Sequence, residues 1–316
     1  MSQTLTTTVH QAELLAQGPR LEELVDAFSK NQDVKPSSRE VYRKNLKRFL
    51  AWVQEKGYSL AELTRVQVLQ YKEELLAKGT SPLTTCSYLV TVKLFYAWAE
   101  GEKLYPNIAR GVRVPKRVQS IQRSPLTTPQ AAKLLQHYQE QGSLRDYALV
   151  NLMLRTGLRT VEVCRANIVD ITQKGEQRVL MIQGKGRDGK DAFVILTQKA
   201  WAPLKAYLES KGPQMKGAPL FTSTSNNNLG SKLTTRTIRQ IAREGLDAIG
   251  CSESAYTAHS LRHTAGCSIL QAGGTIEAAQ LTLRHSSPVT TQIYVKHLDE
   301  QRRLENSGEA LVDTLF

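Results

Sequence analysis

From Leu21 to Trp98 the apolar positions recur at helical spacing, with no run of strict alternation to suggest strands. Leu21 to Phe28 reads as a short amphipathic helix. Pro36, Ser37 and Ser38 give a helix start, after which Tyr42, Leu46, Phe49, Leu50 and Val53 form one apolar face. A third helix is predicted from Leu60 to Lys78, stopped by Gly79. A fourth opens at Pro82 and runs through Tyr88, Val92, Phe95 and Trp98. Four helices in a row predict a small bundle.

Beyond it the texture changes. Arg110 to Arg123 carries five basic residues, a proline and no acid, and reads either as a solvated loop or as a linker lying on phosphates. Thr127, Thr128 and Pro129 then start a helix. Leu144 to Arg155 make a buried one, ended by Gly157. Asn167 to Ile171, Val179 to Gln183 and Ala192 to Leu196 read as strands of a small antiparallel sheet, with Asp188 and Gly189 turning between the last two. Helices resume to the end. The expected fold is mainly α, with a small antiparallel β-sheet in the C-terminal domain.

Composition narrows the partners. The 316 residues include 42 Lys and Arg against 29 Asp and Glu, a formal charge of +13. Such a surface attracts polyanions, of which nucleic acid is the commonest large one. No window approaches the roughly 20 apolar residues of a membrane span, and Met1 to Gly18 lacks a secretory pattern, so no membrane contact and a cytoplasmic location are expected. Cys86, Cys164, Cys251 and Cys267 are scattered, without a CxxC pair, and read as reduced packing residues.

Four motifs could carry chemistry. In LMLRTGLRTVEVCRA, Gly157 breaks a buried helix and Thr160 is placed to cap the next, with Glu162 in its first turn. Arg159, between them, sits where an anion is well bound, or else simply pairs with Glu162. Lys185 lies between two glycines at a hairpin tip, as a plain exposed lysine or as a cation entering a DNA groove. His259 and Arg262 share a helical face in AHSLRHTAGCSIL. His259, His263 and Cys267 also fall at i, i+4 and i+8, but no carboxylate ligand or CxxC accompanies them, so no metal is expected. His285 precedes a Ser-Ser-Pro helix start, and Tyr294 follows nine residues later.

In order and spacing these motifs resemble the tyrosine recombinase/phage integrase family. The matching segments are the TGLR-x-x-E box (Thr156, Gly157, Leu158, Arg159, Glu162), the GKG hairpin (Lys185), HSLRHT (His259, Arg262), LRHSS-x-x-TT (His285) and Tyr294 beyond it. Departures are Val163, where leucine is usual, and Arg284, where glycine is common. The resemblance implies a DNA strand transferase working without metal or ATP, and a two-domain, C-shaped clamp around DNA. Implied divisions are a tail 1–18, a helical core-binding domain 19–109, a basic linker 110–123, a catalytic domain 124–297 and a C-terminal tail helix 298–316 for protomer contact.

By the same resemblance Tyr294 attacks a phosphodiester to form a 3′-phosphotyrosyl link. Arg159 and Arg262 clamp the phosphate with fixed, bidentate charge, and His285 donates a further hydrogen bond. His259 is the general base and Lys185 the general acid on the leaving 5′-oxygen, while Glu162 orients Arg159 or His259. No cofactor is expected. Expected partners are duplex DNA with inverted-repeat core sites and three further copies of the chain, forming a tetramer on two sites; an accessory directionality factor is compatible. The biological setting would be integration, excision or resolution of a mobile element or replicon, bacterial or phage-encoded and nucleoid-associated. Candidate DNA contacts are Arg39, Arg43 and Lys47 on one front-half helix, Arg113, Lys116 and Arg117 in the linker, and Arg236, Arg239 and Arg243 on the outer face of a later helix. Two rivals stay open. A non-catalytic DNA-binding protein on the same scaffold is opposed by the full residue set, and a topoisomerase would relax plasmid that lacks any specific site.

Overall fold

The computed structural model describes residues 19–115, 123–184, 187–215, 217–313 and 315. The chain divides into two compact units, Met1–Val118 and Gln119–Phe316.

In the first unit, α1 (Pro19–Asn31), α2 (Pro36–Glu55), α3 (Arg65–Ala77) and α4 (Pro82–Gly101) enclose an aromatic core. Phe49, the centre of the α2 stripe, meets Tyr71 edge-on at 5.1 Å and Tyr96 at 6.2 Å. Edge-to-face rings gain a little beyond their buried area. The third helix starts later than its apolar pattern predicts. Thr64 caps it, accepting from the Val66 amide, while Gln67 accepts from the Thr64 amide at 2.9 Å, so the helix begins only at Arg65. Gly79 leaves the helix at φ +75°, where a side chain would be strained.

The second unit begins with α5 (Thr128–Glu140), α6 (Leu144–Thr156) and α7 (Thr160–Arg165). Its sheet is β1 (Ile171–Lys174), β2 (Gln177–Ile182) and β3 (Ala192–Ile195), antiparallel in that order, with Leu180 opposite both Ile171 and Val194. Then come α8 (Gln198–Ser210), α9 (Thr235–Ala248), α10 (Ala258–Gln271), α11 (Ile276–Leu283), α12 (Val289–Glu305) and α13 (Gly308–Val312). α6 is the hub: Leu149, Val150, Leu152 and Met153 are fully buried, with α8 on one side and α10 on another.

Two expectations need correcting. The first strand does not occupy Asn167 to Ile171; Ile168–Asp170 is a 3-10 turn and the strand starts at Ile171. The Asp170 carboxylate accepts the Asn167 amide at 2.6 Å and pairs with Lys190, and these local bonds outweigh the strand preference of Ile168 and Val169. Nor does a tail helix begin at Leu298. That residue lies inside α12, which carries Tyr294 and runs on to Glu305, with α13 a separate short turn after Asn306 and Ser307. Leu304 and Leu315 remain 84% and 76% exposed, so neither packs against this chain.

Candidate active site

The site is built where α6 ends. Gly157 adopts φ +60°, and its amide returns to the Met153 carbonyl at 2.9 Å. Arg159, not Thr160, is the N-cap of α7. Glu162 Oε2 accepts the Arg159 amide at 2.8 Å, and Glu162 Oε1 accepts the Arg159 guanidinium at 2.8 Å. The reading of Arg159 as a partner of Glu162 holds, and its side chain, 27% exposed, still reaches the surface beside a helix start.

Arg262 arrives from α10, 1% exposed. It donates to the Gly157 carbonyl at 2.5 Å and to the Leu283 carbonyl, which ties the α6–α7 turn to the end of α11. A Cβ on Gly157 would run into Leu283, a side chain with no exposure of its own. Gly157→Ala is thus expected to combine left-handed strain with a clash, lowering unfolding stability by about 2–4 kcal/mol in a urea titration.

Tyr294 comes from α12 and is 1% exposed. Its ring rests on Gly266 of α10, where a Cβ would stand 2.9 Å from the ring carbon Cε2. The His285 ring lies parallel to it at 6.1 Å, and His285 Nδ1 is 2.9 Å from Thr291 Oγ1. The phenol's own partner is His263, whose Nδ1 is 3.1 Å from Tyr294 Oη. His259, the expected base, is exposed one turn earlier with its ring edge-on to His263 at 4.6 Å. His263 was visible in the sequence only as an i+4 neighbour of His259, because helical spacing does not say which α10 residue faces α12.

Electrostatically the site is crowded with positive charge. Burial, with the Arg159 and Arg284 guanidinium groups, pushes the Arg262 pKa down to about 9, still cationic at neutral pH. Burial first, then neighbouring cationic groups, lowers His263 to about 3 and His285 to about 4. His259 goes down to about 4 through desolvation and the guanidinium groups of Arg262, Arg159 and Arg123; its exposed ring makes the charges the firmer cause. Burial pushes Tyr294 up to about 12, against the pull of Arg262. Burial works to raise Glu162, but Arg284 and Arg159 outweigh it and hold the carboxyl low. Three guanidinium groups around one carboxylate leave an excess of positive charge suited to an anion.

Lys185 lies outside the described residues. The hairpin base beside it is closed by Gln183, which donates to the carbonyls of Arg187 at 2.8 Å and Asp188 at 3.3 Å. The structure therefore brings together Arg159, Glu162, Arg262, His285 and Tyr294, with His259 at the edge. It adds His263 and Arg284.

Residues 125–301 match the phage integrase family, and residues 21–103 match the phage integrase N-terminal SAM-like domain. This chain belongs to the phage integrase family of tyrosine recombinases. Among its relatives, the tyrosine recombinase XerC of Thermodesulfovibrio yellowstonii is 30% identical, across 73% of this chain and 77% of its own. Tyrosine recombinase XerD of Chlorobaculum tepidum is 26% identical over 88% and 91%. In structure, a XerH site-specific recombinase in a post-cleavage complex with palindromic difH substrate aligns with a TM-score of 0.72, at 21% identity, over 95% of this chain and 88% of that one. A lambda integrase dimer bound to a COC′ core site aligns at 0.67, 18% identity, over 87% and 76%. The recombinase fold is therefore shared well beyond sequence likeness.

The candidate DNA contacts differ in what they already do within this recombinase. Arg43 pairs with Asp26 at 2.6 Å, Lys47 with Glu22 at 2.6 Å, and Arg39 donates to the Gln32 carbonyl at 3.0 Å, so α1 partly neutralises that face of α2. Arg243 is committed to Asp247 and to the carbonyls of Ser252, Glu253 and Tyr256. Arg236 and Arg239 project from α9 into solvent, and Arg113 is exposed. Lys116 and Arg117 lie outside the described residues.

Proposed function

We propose that this chain is a site-specific DNA recombinase that cuts and rejoins strands through a 3′-phosphotyrosyl intermediate. The observation that carries the reading is the placement of the Tyr294 phenol, 3.1 Å from a neutral imidazole, in one cluster with Arg159 and Arg262. A phosphate drawn into that cluster meets two fixed guanidinium forks where non-bridging oxygens gain charge.

The Tyr294 oxygen forms a bond to phosphorus, and the bond from phosphorus to the 5′-oxygen breaks. The phenolic proton goes to the imidazole side and the leaving oxygen takes one from Lys185. Because the phenol is buried at rest, His263 holds it in waiting, and α12 shifts so that it meets the phosphate with His259 as base. His285 donates to a phosphate oxygen. Bond energy stays in the ester, so a second 5′-hydroxyl reverses the step without ATP or metal. Arg236, Arg239 and Arg113 supply sequence-independent phosphate contacts. The XerH and lambda integrase complexes support a duplex with inverted half-sites as substrate and several protomers acting together. Residues 19–109 and 124–297 serve as the core-binding and catalytic domains, in a cytoplasmic, DNA-associated protein.

The test is covalent capture. A random duplex library mixed with the chain in EDTA should yield an SDS-resistant protein–DNA adduct, and sequencing the trapped duplexes defines the site. Adduct formation that requires added divalent metal would overturn the metal-free reaction. No adduct at all would overturn the reading.

The buried histidines set a pH dependence. The folded-state pKa of His263 is about 3, below the roughly 6.5 of an unfolded histidine. Between those values the unfolded chain binds more protons, so stability is full above pH 6.5 and falls as pH drops through the window. Urea titrations from pH 7 to pH 4 should lose roughly 1–3 kcal/mol, with a shallower slope in His263→Asn.

A further inference from the structure

Arg284 closes α11 in the left-handed region, at φ +56°. Lys103 is the other non-glycine residue with positive φ among those described. Glycine would sit there without the strain of about 1–2 kcal/mol that a side chain brings. Arg284 is nevertheless kept inward. Its side chain is 12% exposed, its Nε is buried without a partner among the described residues, and the guanidinium reaches back to Glu162 Oε2 at 2.9 Å. It also donates to the carbonyls of Thr282 at 2.5 Å and Gly157 at 3.4 Å.

The consequence lies in how Glu162 divides its charge. That carboxylate has no exposed side-chain surface. Oε1 is held by the Arg159 guanidinium, and Oε2 by Arg284 and the Arg159 amide. With glycine at 284, the whole buried negative charge would fall on Arg159, the guanidinium that must also turn to the DNA phosphate. A carboxylate bound tightly to that group alone competes with the substrate for it. We infer that Arg284 is a positioning residue for strand cleavage: it offsets Glu162 and so leaves the outer edge of Arg159 to the phosphate. The inference rests on the recombinase reading above.

The experiment uses the full chain and a nicked duplex carrying the sequence captured covalently by the wild type. Arg284→Gly should slow adduct formation roughly ten- to hundredfold, as a displaced clamp would, with duplex affinity kept, both measured at a temperature where circular dichroism shows the variant folded. Arg284→Lys, a point charge in place of a fork, should fall between them. Adding Glu162→Gln to Arg284→Gly should recover much of the lost rate, because the uncompensated charge is gone; a merely structural arginine predicts no such rescue. An Arg284→Gly variant that cleaves at the wild-type rate, or a double variant slower than the single, overturns the inference and leaves the recombinase reading intact. If the wild type itself forms no adduct, both fall.

Discussion

Tyr294→Phe should form no covalent adduct while still binding duplex DNA. The change removes one oxygen and leaves the ring on Gly266 and beside His285, where its shape is already accommodated. The folded state loses the hydrogen bond to His263 and leaves that buried nitrogen unpaired, a cost of about 1–2 kcal/mol that a domain of this size tolerates. Chemistry loses everything, because no other atom of the ring can form the ester. Denaturing gels on a nicked duplex measure the adduct and native gel shifts measure binding. An adduct that persists would move the nucleophile elsewhere, with Tyr256 the next tyrosine to test.

Arg262→Ala carries the second large effect, on two properties at once. Its guanidinium is the cation that the phosphate reading needs, and removing one donor aimed at developing charge costs about 10²–10³ in rate. It is also a brace, because its bonds to the Gly157 and Leu283 carbonyls join two turns 126 positions apart in sequence, from 157 to 283. Truncation takes this donor from the Leu283 carbonyl and leaves the Gly157 carbonyl only the longer 3.4 Å bond from Arg284, at a cost of about 1–3 kcal/mol for a buried group left unsatisfied. Cleavage should therefore vanish from single-turnover assays, and the urea midpoint should drop as well. Arg262→Lys separates the two roles: a retained charge with poorer fork geometry should recover part of the stability and little of the rate. Normal cleavage by Arg262→Ala would remove this residue from the clamp.

Much of this was legible in one dimension because the physics concerned is local. The α2 stripe through Leu46, Phe49 and Leu50 is a helical period, and its members are buried as that period requires. Gly157 announces a helix end because only glycine enters the left-handed region without strain. The spacing of Arg159 and Glu162 already contains their ion pair, since residues three apart on a helix turn face each other. Where local rules misled, a competing local bond was the reason. Thr64 and Gln67 delayed a helix, and Asp170 drew the apolar pair Ile168 and Val169 into a 3-10 turn.

Order and spacing along the chain were enough to determine the mainly helical architecture, the family and five of the residues that meet in the second unit, Arg159, Glu162, Arg262, His285 and Tyr294. Periodicity records which face of an element is apolar, but it does not record which neighbour that face will meet. Only tertiary packing decided that the phenol rests against His263 and not His259, that Arg262 bridges two distant carbonyls, and that Arg284 shares Glu162 with Arg159. Each of these is a contact between separate elements, fixed by the way α10, α11 and α12 pack around Gly157 and Gly266.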